Sequence, residues 1–240
     1  MPRSVPAQDA KIGKKIDFLA AELGTAMAPL GFTRKSRKLW RDSGAGDERC
    51  FEIFDFQGGK WNEGSTGKFC INLGVQFPAL LNITGQLLGE PWRTDIAQHP
   101  DTAAAAVRGR LDAALPAQRE PWWVREMAAG RDIWFTIGPS TDLAALSAVL
   151  VRTAHNYVVP WLEKSASFEG MFNSADQLGQ HYLFRVIVDA LRGRTEDARC
   201  RFIASCAARL QEPALGRVTA WLQAQGVCLD QGLLADGPDR

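Results

Sequence analysis

From residue 67 to 77 polar and apolar positions alternate without a break: Phe69, Ile71, Leu73, Val75 and Phe77 on one side, Lys68, Cys70, Asn72, Gly74 and Gln76 on the other. A period of two predicts a strand with one apolar face. Each of the five apolar side chains contributes about 1.5–3 kcal/mol when buried. A slip of one residue would expose all of them, so the register is fixed. The polar set faces water, a second layer of the same chain, or a bound molecule, and the alternation alone leaves all three open.

The rest of the chain changes period twice. Ile12, Ile16, Leu19, Leu23, Met27 and Leu30 recur three or four apart, which predicts a helix to about residue 28, disrupted by Pro29 and stopped by Gly31. "RKLWR" (37–41), the turn "DSGAGDE" and "RCFEIFDFQ" (49–57) read as a hairpin preceding the 67–77 strand, giving an antiparallel meander. Phe51, Ile53, Asp55 and Gln57 share one side of their strand and Glu52, Phe54 and Phe56 the other, so that strand is covered on both faces. Residues 78–131 give no single reading: "AAAAVRGRLDAAL" favours helix by propensity, yet Val107, Gly109 and Leu111 alternate with Arg108 and Arg110. "DIWFTIG" (132–138) is a strand with Trp134 and Thr136 on its polar side. Ser140 or Thr141 caps a helix that reaches Trp161 and is kinked by Pro160.

Beyond residue 165 the pattern is helical: about 175–192, then a helix capped by Thr195 and carrying Ala198 to Leu210, then one opened by Pro213 and ended by Gly226. The expected division is an α+β domain over 9–165, in which helices pack on an antiparallel sheet. A C-terminal α-helical hairpin extension follows over 166–230, with flexible tails at 1–8 and 231–240.

The order of pieces carries a resemblance. "PLGFTRKSRKLWR" (29–41), an aromatic strand ending in Gln57, a loop with Lys60 and Trp61, and "FCINLGV" (69–75) come first. "VRGRLDAAL" (107–115), "EPWW" (120–123) and "VVPWLEKSASFEGMF" (158–172) follow. Together these are similar to the bacterial family catalogued as domain of unknown function 4304, over about residues 15–172. The resemblance implies an α+β fold and a strand at 105–111, and it brings no established activity. The helices from 175 to 226 loosely resemble tetratricopeptide hairpins, but are too few for an array and lack the full aromatic pattern.

Charge and cysteine content narrow the function classes. With 28 Lys and Arg against 27 Asp and Glu the net charge is +1, which gives no global attraction to nucleic acid or to a membrane surface. Residues 69–89 are uncharged, but Asn72, Gln76, Pro78, Asn82, Thr84 and Gln86 interrupt them, so no membrane span is expected. "MPRSVPAQDAKIGKK" has no apolar core of the secretory kind. Five scattered cysteines without a C-x-x-C pair point to a reducing compartment, the cytoplasm, rather than to disulfides or zinc.

Candidate sites are local. "GGKWNEGSTGKF" departs from a phosphate loop, because Asn62 stands at the required glycine, Phe69 replaces the hydroxyl residue, and a strand follows. "RKSRKLWR" (34–41), with Arg37, Lys38 and Trp40, fits either a charged edge strand or a surface for an acidic protein or small anion; no nucleic-acid module accompanies it. His99, His155 and His181 lie far apart, no cofactor or metal motif is present, and Cys70 is a possible but isolated nucleophile. The polar face offers Asn72, Gln57, Arg108, Arg110 and Trp134. They form either a structural hydrogen-bond network or a pocket for a carboxylate or a backbone segment. Of eight tryptophans, Trp61 in its glycine-rich loop and Trp122 and Trp123 beside Pro121 are expected to be exposed, as binding anchors are. The expectation is a non-enzymatic protein-binding or adaptor protein, one form being an immunity or defence protein. The alternative is a small-molecule enzyme using the polar face of the sheet.

Overall fold

The structure, a computed structural model, describes residues 4–115, 133–174 and 182–229. Ile12, Ile16, Leu19, Leu23 and Met27 are all buried, which makes Ile12–Met27 one amphipathic helix, α1. Past it the chain tightens into a 3-10 turn, Ala28–Leu30, and reverses through Gly31 at φ 86°. The basic run at 34–41 forms two strands rather than one. Ser36 at φ 56° turns β1 (Thr33–Lys35) into β2 (Lys38–Ser43), and β1 is the sheet edge.

β3 (Cys50–Gly58) and β4 (Gly67–Gln76) continue the meander, and β5 (Val107–Arg110) and β6 (Phe135–Ile137) complete six antiparallel strands among the described residues. β4 is the spine. β3 pairs along one of its edges, while β5 and β6 share the other, at Asn72 to Val75 and at Gly67 to Phe69. Leu39, Phe54, Phe56, Phe69, Ile71, Leu73 and Val75 face one way, and the rings of Phe56, Phe69 and Phe135 stack at 5.8 and 4.9 Å between centres. α1 packs on this face.

The ambiguous stretch resolves as a strand between two 3-10 turns, Thr102–Ala104 and Leu111–Ala114. The open edge of β4 overrides the helical propensity of the alanines. Two helices carry punctuation that the polar composition obscures: α2 (Pro78–Leu88), opened by its proline and closed by Gly89 at φ 72°, and α3 (Pro91–Ala97). α4 (Leu143–Thr153) is capped by Asp142, which accepts from the Ala145 N–H, not by Ser140 or Thr141. Thr141 instead accepts from the Gly138 N–H and ties the preceding turn. The donor missing at Pro160 is absorbed by a π turn, Ala154–Val158, before α5 (Val159–Ser165).

α6 (Phe168–Asn173) leads into the C-terminal helices α7 (Tyr182–Leu191), α8 (Thr195–Arg201) and α9 (Ala214–Ala224). Thr195 is the first helical residue and Arg194 holds the cap position, so the predicted threonine cap is not made. A π turn and a 3-10 turn, Phe202–Cys206 and Ala207–Arg209, break the helix expected to reach Leu210. The predicted helical start at 175–181, including His181, and the pair Trp122 and Trp123 lie outside the described residues. One buried apolar set runs from Ile12 to Leu229, and Arg217 of α9 donates to the Leu87 carbonyl at the end of α2 at 2.8 Å. Among the described residues no helix is long and apolar enough to cross a membrane.

Candidate functional site

The register places Phe51, Ile53, Asp55 and Gln57 beside Gln76, Gly74, Asn72 and Cys70 on the second face of the sheet. One end of this face is covered by the chain itself. Gln76 is fully buried: its amide nitrogen donates to the Ile96 and His99 carbonyls, both at 3.1 Å, and its oxygen accepts from the Asp101 N–H at 2.7 Å. Gly74 lets the cover come close, since a Cβ there would stand 2.8 Å from that of Ala105. Lys38 donates to the Pro100 carbonyl at 2.9 Å and lies 3.8 Å from Asp101, so this predicted site residue fastens the cover.

The other end holds the predicted cluster. Asn72 is half-buried and donates to the exposed Gln57 at 2.9 Å. Cys70 is buried, its sulfur 3.9 Å from the Gln57 oxygen and 3.8 Å from that of Asn72. Arg110 sits opposite Asn72 in register, with its guanidinium 5.2 Å from the centre of the Trp134 ring. Arg108, two residues away, lines a separate cavity with α3. The structure therefore joins Gln57 to Asn72 and Arg110 to Trp134, and assigns Arg108 to different surroundings.

The basic run spends most of its charge inside the chain. Arg37 pairs with Asp17 at 2.6 Å and donates to the Gly13 carbonyl, Arg41 pairs with the buried Glu52 at 2.6 Å, and Trp40 is half-buried beside Ile53. Its strands thus serve the edge of the sheet.

The loop between β3 and β4 is of another kind. It is fastened on both sides of its tip: the Gly59 N–H donates to the Lys68 carbonyl at 2.8 Å, and the Asn62 carboxamide both donates to that carbonyl and accepts from the Lys68 N–H at 2.7 Å. A Cβ at position 67 would lie 2.4 Å from the Asn62 oxygen, so a larger residue there would push the Asn62 carboxamide out of this clasp. The Gly64 carbonyl accepts from the Ile12 N–H at 2.8 Å and satisfies one open donor of α1. Lys15, only 1% exposed, gives its ammonium to three carbonyls, of Gln8, Ser65 and Gly138, at 2.7, 3.0 and 3.0 Å. On this fixed support Trp61 is 86% exposed, with the Lys60 ammonium 5.0 Å above its ring.

Lys15 carries the loop yet has no motif. Its signal is its place on the α1 stripe, between Ile12 and Ile16, where an amine must find carbonyls. Trp92, 51% exposed, is a second outward tryptophan, marked only by the preceding Pro91. A family model described as "Domain of unknown function (DUF4304)" matches residues 23–164. No curated protein and no solved structure matches the chain.

Proposed function

The chain belongs to the domain of unknown function 4304 family, whose description carries no activity, and we propose from the geometry that it is a protein-binding, adaptor-type molecule whose contact is the β3–β4 loop. One observation carries the reading: a tryptophan 86% exposed at the tip of a loop tied down by Lys15 and Asn62. An apolar ring of this size held in water is unfavourable unless something covers it. Tryptophan is among the residues that dominate binding energy, and an anchor already held in position loses little freedom on association. Lys60 above the ring and Lys68 at the base of the loop favour an acidic partner surface. Five cysteines scattered along the sequence without a C-x-x-C pair favour a reducing compartment, the cytoplasm.

Wild-type, Trp61→Ala and Trp92→Ala proteins, used as bait in extract of the source organism, test this by quantitative mass spectrometry of what each retains. The expected result is a stoichiometric polypeptide held by wild type and by Trp92→Ala and weakened about thirtyfold by Trp61→Ala, with unchanged thermal unfolding. Equal retention by Trp61→Ala removes the loop from the interface. Absence of any stoichiometric polypeptide overturns the protein-partner reading.

A further inference from the structure

The segment that covers Gly74 also walls a cavity of about 470 Å³ between α3 and the C-terminal helices. Three arginines reach it: Arg93 from α3, Arg108 from β5 and Arg209 from the turn before α9. Among the described residues no lining residue is acidic, and the carboxylate beside the cavity, Glu90, pairs with Arg93. Among the described residues Arg209 has no carboxylate partner, and its guanidinium lies 5.7 Å from the centre of the Tyr182 ring. Arg108 is steadied by donation to the Ala103 carbonyl at 3.0 Å. Three rings line it as well, Trp92, with the Arg93 guanidinium 4.6 Å from its ring centre, Tyr182 and Phe184, and Ile96 with Ala103 to Ala105 adds an aliphatic wall.

Like charges gathered around one space repel, and a bound anion relieves that repulsion. Guanidinium groups present forked donors that match a phosphate or a carboxylate, and the rings offer faces for stacking. A bare inorganic anion would leave most of a cavity this size to water, whereas its volume lies in the range of sites for small organic ligands. We propose that this cavity binds a small organic anion: a planar ring bearing a phosphate or a carboxylate. The site is distinct from the Trp61 loop and does not depend on a protein partner. It uses α3 and the C-terminal helices together, so the ligand bridges the sheet cover and the extension.

Calorimetric titration at low ionic strength tests it with adenosine monophosphate and indoleacetate, each beside its neutral parent, adenosine or indole. One or both anions are expected to bind one to one, at least about tenfold more tightly than the neutral parent. Arg209→Met is expected to weaken that binding by about tenfold or more while thermal unfolding stays unchanged. The anion that binds tells phosphate from carboxylate. Should Arg209→Met fold poorly, Arg93→Met is read by the same criterion. The proposal is overturned if neither anion exceeds its neutral parent, or if a folded variant of either arginine keeps full affinity.

Discussion

The two carboxamides of β4 sit four residues apart on the same face of the same strand and live in different surroundings. Gln76 is sealed, with both ends of its amide bonded to backbone groups of 96–101. Asn72 is half-buried; it donates to one exposed side chain, Gln57, and among the described residues its oxygen meets only the Cys70 thiol, at 3.8 Å. Removing water from a polar group is tolerable only where its partners are supplied, and at Gln76 the cover supplies all three. Position on a polar face therefore says which way a side chain points, while the chain that returns over it decides whether that side chain is structure or surface.

Gln76→Leu should be the most damaging change on this face. It strands the Asp101 N–H and two carbonyls in a dry layer, at a cost of about 3 kcal/mol in urea unfolding followed by tryptophan fluorescence. Asn72→Leu exchanges one partly solvated bond for an apolar side chain of similar size, and its expected cost is below about 1 kcal/mol by the same measurement. If Asn72→Leu costs as much as Gln76→Leu, the contrast collapses, and the Gln57, Cys70 and Asn72 cluster is as structural as the sealed end.

How far these surroundings could be read in advance follows from the range of each signal. α1 and β2 to β4 were legible because their periods are local: a stripe from Ile12 to Met27 and an alternation from Phe69 to Val75 need no knowledge of the rest. β5 was not settled by local pattern, since four alanines favour helix, and only the unfilled edge of β4 makes 107–110 a strand; the family resemblance carried that information. α2 was obscured by Asn82, Thr84 and Gln86, although Pro78 and Gly89 mark its ends. Trp61 stood out because glycines on both sides argue for a loop tip. Gln76 did not, because its partners are 20 to 25 residues away and are joined to it only by the fold. The meeting of Arg93 with Tyr182 and Arg209 is invisible to any spacing rule for the same reason.

Asp55 stands at the boundary between the two ends, opposite Asn72 in register and accepting from the Thr102 hydroxyl of the cover at 3.4 Å. Burial pushes its carboxyl above the usual carboxylate range, while the Lys38 ammonium and the Thr102 hydroxyl pull the other way. With the folded-state value raised, the unfolded chain gives up this proton first as pH climbs. The native state therefore loses stability from the usual carboxylate range upward through Asp55's own titration. Below that range both states hold the proton and the effect vanishes. Asp55→Asn removes it and should be more stable than wild type near neutral pH, by the smallest margin of the three, with the difference closing as the solution is acidified to about pH 3. Paired urea titrations across that range read the sign directly. A variant less stable than wild type at neutral pH would mean that Lys38 and Thr102 outweigh burial. The middle of the face would then be held by charge, as the sealed end is held by backbone hydrogen bonds, and the structural part of the face would reach the level of Asn72.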